Sequence, residues 1–195
     1  YGFRGEALPS IAAVSKVTVI TKHHNSAIGV RYVIQGGSEI SKEDIACNTG
    51  TQIIVENLFF NVPPRRSLLK SQPKEAGFVG QVVMAMALAK PQVHFKYYHN
   101  KKLVFQSSSN ANLSDTIINL MGSTLFKGLV PVSYHSKEQI VISGYVSRPQ
   151  HHRATRQNQY FFINGRWIIT NQFNKAISRA YHTLIPSNRF PILIL

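Results

Sequence analysis

The sequence predicts an α+β fold in two subdomains. Three observations predict it: β-branched, alternating segments dominate residues 17–58, the apolar period becomes helical at residue 74, and Ser71-Gln72-Pro73 interrupts the pattern between them. The expected division is 1–72 and 73–195. A chain of 195 residues with 44% hydrophobic side chains is long and apolar enough to bury a core.

In the first part, Glu6 to Ser15 reads as a helix, with Leu8, Ile11, Ala12 and Val14 as a partial apolar face. Pro9 fits only near the true start of that helix. Val17-Thr18-Val19-Ile20-Thr21 is β-branched and reads as a strand, followed by a turn at His23-His24-Asn25-Ser26. Gly29 to Gln35 alternates as a second strand that Gly36-Gly37 ends. After a polar loop, Thr51 to Leu58 is a third strand, with Ile53 and Val55 on one side and Ile54 and Glu56 on the other. Asn61-Val62-Pro63-Pro64 reads as a loop, since proline cannot extend a ladder.

In the second part, Lys74 to Lys90 is helical, with Phe78, Val82, Val83, Met86 and Ala87 near one face and Gly77 and Gly80 weakening it. Val93 to Gln106 reads as a hairpin turning at His99-Asn100-Lys101. Leu113 to Met121 is a short helix capped by Asn112 or Ser114. Val130 to Val146 supplies two strands about Ser136-Lys137-Glu138, and His151 to Asn158 is a basic, polar loop. Gln159 to Ile169 is strand, Asn-Gly turn, strand. Asn171 to Leu184 is a helix with Phe173, Ile177, Ala180 and Tyr181 on one side, and Phe190 to Leu195 is an apolar strand. The second part therefore contains three expected helices. No internal repeat or low-complexity tract interrupts either part.

Charge narrows the function classes. Lys and Arg number 22 against 8 Asp and Glu, a net charge of +14. That balance favours a polyanionic partner through counterion release. No basic amphipathic helix with a broad apolar face and aromatic anchors points to a membrane surface instead. No run reaches the ~18 apolar residues of a membrane span, and no signal peptide is evident. The single cysteine, Cys47, excludes an internal disulfide, suits a reducing compartment and reads as structural. His23-His24 and His151-His152 lack the companion Cys or carboxylate clusters of a zinc site, so no metal is expected.

The chemistry concentrates in the first ten residues. Gly2 and Gly5 bracket Phe3 and Arg4 just before a helix, so several backbone N–H groups can converge on an anion. The alternative is a tight turn capping the helix, with Arg4 solvated and Glu6 favouring the first turn through the helix dipole. Gly2-Phe3-Arg4-Gly5-Glu6-Ala7-Leu8 resembles the G-F-R-G-E-A-L signature of MutL-type DNA mismatch repair proteins, members of the GHKL ATPase superfamily. Gly50-Thr51 and the block through Leu58-Phe59-Phe60-Asn61-Val62-Pro63-Pro64-Arg65-Arg66 are similar to that family's G-T-x-V-x-V-x-x-L-F-x-N-x-P-A-R segment. Phe162-Ile163-Asn164-Gly165-Arg166 resembles its V-N-x-R segment. The run from Tyr181-His182-Thr183-Leu184-Ile185-Pro186 to Leu195 resembles the strand before its lysine loop.

The resemblance implies that residues 1–72 are the second half of a GHKL ATPase sandwich and 73–195 a ribosomal-protein-like α/β domain. It implies that Gly2, Phe3, Arg4, Gly5, Glu6, Ala7 and Leu8 close over bound nucleotide, and that Thr51 lies near the adenine pocket. It assigns DNA contact to Arg166. Arg153, Arg156, Lys175 and Arg179 are near enough in sequence to share its surface, and Arg65 and Arg66 add to it. Such contacts to phosphates set affinity and position rather than sequence choice.

The resemblance further implies ATP and Mg²⁺ as cofactors of the parent protein and a homodimer of its N-terminal halves. Partners are double-stranded and also single-stranded DNA, a mismatch sensor and a downstream repair nuclease or helicase, at the nucleoid of a bacterial cytoplasm. The family's general base, Mg²⁺-binding asparagine and adenine-binding aspartate precede the G-F-R-G-E-A-L segment, and its γ-phosphate lysine follows the last strand. None lies in these 195 residues, so no catalytic residue is assigned, no cofactor is expected to be held competently and no ATP turnover is expected. The alternative class is a non-enzymatic, basic nucleic-acid-binding module of ribosomal-protein-like fold. Another GHKL member, a topoisomerase subunit or kinase, fits the glycine loop but not the Phe59-to-Arg66 block.

Overall fold

The computed structural model describes residues 5–109, 112–137 and 140–195. The chain divides into two compact units, Tyr1–Ser71 and Gln72–Leu195. The mixed α+β class expected from the sequence is what the chain adopts.

The first unit opens with helix α1 (Ala7–Ala12), shorter than expected. Pro9 sits in its first turn, where a backbone N–H has no helical partner. The carbonyls of Ala12 and Ser15 accept from the N–H groups of Gly37 and Gly36, at 3.0 and 3.1 Å, which ends the helix and fixes it to a neighbouring turn. Strands β1 (Lys16–Lys22), β2 (Gly29–Gln35), β3 (Ser38–Ile45) and β4 (Gly50–Glu56) form an antiparallel sheet in the order β3-β2-β1-β4. The central strand explains the β-branched run: Val17 meets Ile34 and Val55, and Val19 meets Tyr32 and Ile53, across its two neighbours.

Residues 38–45 were expected as a loop and are instead β3. A strand at the sheet edge has one neighbour and water beside it, so it needs no apolar alternation. Glu39, Glu43 and Asp44 remain exposed there, and Arg31 of β2 pairs with Glu43. The Asn61–Pro64 loop is corrected as well: Pro63 and Pro64 begin helix α2 (Pro63–Ser67), at positions where fixed φ suits a first turn.

The second unit begins with α3 (Gln72–Ala89) and the hairpin β5 (Lys96–His99) and β6 (Lys102–Gln106). Asn100 and Lys101, with φ of 49° and 63°, make its two-residue turn. Next come α4 (Leu113–Met121), capped by the Asn112 side chain on the Asp115 N–H at 2.9 Å, and α5 (Ser123–Lys127). Strands β7 (Leu129–His135) and β8 (Val141–Ser147) follow, then β9 (His152–Arg153), β10 (Gln159–Ile163) and β11 (Arg166–Ile168). Helix α6 (Asn171–Ala180), β12 (Phe190–Pro191) and β13 (Leu193–Ile194) complete the unit. Four described helices thus replace the three expected; α5 is too short to show a period.

The main sheet runs β11-β10-β13-β8-β7. Strand β13 lies parallel to β10 and antiparallel to β8. The apolar run 190–195 is therefore not one strand. Its first two residues pair with β9, the Ile192 N–H donates to the Ser147 hydroxyl at 3.1 Å, and the next two residues enter the sheet centre. Gly144 of β8 makes room for this. Its φ is +138°, and a Cβ there sits 2.0 Å from the Ile194 carbonyl oxygen.

The core of the unit joins Ala85 and Leu88 of α3, Ile117 of α4, Leu129, Tyr160, Ile192 and Ile194. The Tyr160 hydroxyl donates to the Met84 sulfur at 3.4 Å, and burial pushes its pKa from 10.0 up to about 12. The fold thus favours the neutral phenol. That contribution is complete below the unfolded pKa near 10 and is lost as pH rises towards 12, up to about 3 kcal/mol. We expect urea midpoints of the wild type to fall across this alkaline window and Tyr160→Phe to flatten the fall. Parallel curves for the two proteins would contradict the assignment.

Candidate nucleic-acid interface

Helix α6 presents two different faces. On the inner one, Phe173 packs on Phe161 with ring centroids 5.2 Å apart, and the Tyr181 hydroxyl, just past the helix, donates to the Ser147 carbonyl at 2.7 Å. Ile177 lies between them, half-buried. The Thr170 hydroxyl caps the start, accepting from the Gln172 N–H at 3.3 Å. With that face fixed inward, Asn171, Asn174, Lys175, Ser178 and Arg179 line an open depression of about 440 Å³.

Arg156 completes the depression from the loop after β9. Its guanidinium lies over the Phe190 ring, 4.4 Å from the centroid, and donates to the Ser178 hydroxyl at 3.4 Å. Aromatic stacking and one hydrogen bond orient it without neutralising it. Arg153 stands on β9, in register with the same Phe190. The structure therefore brings Arg156, Lys175 and Arg179 together, with Arg153 beside Phe190. Arg166 opens β11 directly after the turn Asn164-Gly165, whose φ values of 50° and 76° define the tight hairpin. It is exposed and does not line the depression. Arg65 and Arg66 belong to the first unit, exposed on α2, where Arg65 lies 5.9 Å from the Phe59 ring centroid.

Charge is uneven between the units. Of the 22 Lys and Arg residues, 14 fall in 72–195, against 3 of the 8 Asp and Glu. Residues 139–195 contain no carboxylate side chain at all. The depression is thus a cluster of fixed cations among neutral amide and hydroxyl donors, suited to phosphate oxygens. Asn171, Asn174, Ser178 and Phe190 were missed from the sequence. The polar spacing at 171, 174, 175, 178 and 179 was a readable signal, because it is the helical face opposite Phe173 and Ile177.

On the nucleotide side, Gly2, Phe3 and Arg4 lie outside the described residues. Gly5 has φ +66° with nothing within 4 Å of a Cβ, Glu6 is the N-cap residue of α1 without a side-chain cap, and Ala7 and Leu8 start the helix, exposed. Thr51 is on β4, its hydroxyl 2.8 Å from that of Thr21. Among the described residues, no three His, Cys, Asp or Glu side chains are grouped to hold a metal ion, and no helix is long and apolar enough to cross a membrane.

Known proteins share this architecture. A crystal structure of the N-terminal domain of a DNA repair protein matches 98% of this chain and 62% of its own, with TM-score 0.83 and 23% identity. The Aquifex aeolicus MutL ATPase domain complexed with ADP matches 96% of this chain and 70% of its own, with TM-score 0.76 and 24% identity. The chain shares the fold of these two domains. The family described as DNA mismatch repair protein, C-terminal domain, matches residues 117–195. The MutL proteins of Agathobacter rectalis and Symbiobacterium thermophilum are 37% and 39% identical over 194 residues, the whole of this chain. The chain belongs to the MutL family of DNA mismatch repair proteins. It spans about 30% of the length of those two relatives.

Proposed function

We propose that this chain holds the DNA backbone for a mismatch repair factor that couples mismatch recognition to downstream repair. The observation that carries the reading is the convergence of Arg156, Lys175 and Arg179 on one open face, in a stretch of sequence without carboxylates. Exposed cations with neutral donors between them bind phosphates at any sequence, which suits a factor that must act wherever an error lies. Arg166, at its hairpin tip, extends the contact. The parent is an ATP-dependent switch with Mg²⁺, a homodimer through its N-terminal halves, and a partner of a mismatch sensor and a repair nuclease or helicase in the bacterial cytoplasm. In that parent Gly5 to Leu8 belong to the lid over the nucleotide. The positive φ of Gly5 and the open space around it support this reading.

Duplex binding followed by fluorescence anisotropy across a salt series tests the proposal. Arg166→Glu is expected to weaken binding and to reduce the salt slope by about 0.9 or more. An unchanged slope removes Arg166 from the interface. A wild-type chain with no salt-dependent affinity for duplex removes the function itself.

A further inference from the structure

We propose that the outer face of α3, with the groove beside it, is a docking surface for an acidic polypeptide segment carrying apolar anchors. The helix is apolar on both sides. Ala85 and Leu88 enter the core of the second unit. Phe78, Val79, Val82 and Met86, outside that core, are 57%, 51%, 43% and 39% exposed. Phe78, Val82 and Met86 follow one another at i, i+4 and i+8, so they form a continuous stripe. Helices apolar all round are normally covered, and soluble monomers rarely leave such stripes in water.

A groove of about 670 Å³ adjoins the stripe, between α3, the β5–β6 hairpin and Gln157, Asn158 and Tyr160. Phe78, Tyr97, Val104 and Phe105 supply its apolar lining. Its wall is held in place: the Tyr97 hydroxyl donates to the Ala76 carbonyl at 2.7 Å, and the Tyr97 ring packs so close to Gly80 that a Cβ there falls 3.1 Å from it. The hairpin is thus seated on a small-residue strip of α3, and the groove is preformed.

Charge selects the occupant. Lys74 and His99 line the groove, and residues 72–106 carry five lysines and a single carboxylate, Glu75. A second copy brings the same cations, from a unit with 14 Lys and Arg against 3 Asp and Glu, and is repelled. A nucleic-acid backbone has no use for Phe78, Val79, Val82 and Met86 in a row. An amphipathic helix with anchors at i, i+3, i+4 and i+7 and carboxylates along its edges satisfies both the stripe and the rim.

The probe is a fluorescein-labelled peptide of about 15 residues, with Leu and Phe at those anchor positions and Glu elsewhere, titrated with the full chain. Its scrambled counterpart has the same composition and charge. We expect the patterned peptide to bind about tenfold or more tightly than the scrambled one. Phe78→Gln and Val82→Gln, which leave charge unchanged, each weaken it about tenfold or more, and Lys74→Gln about threefold. Circular dichroism confirms that each variant is folded. Equal binding of the two peptides, or indifference to both glutamine variants in folded protein, reduces the effect to general charge attraction and overturns the proposal. A dimer in sedimentation that Phe78→Gln abolishes overturns it in favour of a second copy. Protection of Met86 from hydroxyl-radical oxidation in the free, monomeric chain also overturns it, since the chain then covers its own stripe.

Discussion

Gly144→Ala is expected to destabilise the second unit by about 3 kcal/mol or more. The added methyl falls 2.0 Å from the Ile194 oxygen, 3.0 Å from the Ile194 carbonyl carbon and 3.1 Å from the Leu195 Cα. All three are main-chain atoms, so no side-chain rotation relieves the overlap. The φ of +138° is foreign to an alanine as well. Relief requires β13 to move, and β13 holds β10 and β8 together. Against a total stability of ~5–15 kcal/mol the loss is large, and Tm is expected to fall by about 10 °C. Gly165→Ala is the control. Its φ is +76°, but nothing lies within 4 Å of the new Cβ, so only backbone strain of about 1 kcal/mol is expected. Equal Tm values for the two variants would refute the close approach of β13 to Gly144.

The triple variant Arg156→Ala, Lys175→Ala and Arg179→Ala is expected to lose DNA affinity by about two orders of magnitude at ~0.1 M salt. Each phosphate contact steepens the dependence of log K on log salt by about 0.9, so removing three flattens it by nearly three. The loss should be similar for duplexes of unrelated sequence, because backbone contacts carry no base information. Stability should change little, since the three side chains line an open depression and the helix is held by Phe173, Ile177 and Tyr181 on its other side. A folded triple variant with an unaltered salt slope would move the interface elsewhere.

Much of the architecture was legible in the sequence because local rules dominated it. Gly29 to Gln35 is a strand and Leu113 to Met121 a helix with the bounds expected, since a glycine pair ends the one and Asn112 caps the other. Two departures came from context that no short window carries. Ser38 to Ile45 lacks alternation because only the sheet edge demands it, and Phe190 to Leu195 divides because Pro191 and the Ser147 hydroxyl redirect the backbone. The basic depression was half legible. Its cations were named, but Asn174 and Ser178 joined them only once the inward face of α6 had been fixed by Phe173. The role of Phe190 was not legible, because the ring meets Arg156 across a long sequence separation.

The order β11-β10-β13-β8-β7 places residues 193–194 at the middle of the sheet. During synthesis, the hairpins on either side remain disconnected until those two residues clear the ribosome. The antiparallel sheet of the first unit pairs neighbours much closer in sequence and can form while the rest is still being translated. The nascent second unit therefore keeps two strand edges and an uncovered apolar layer for as long as β13 is in the exit tunnel. That interval is when a holding chaperone should engage it.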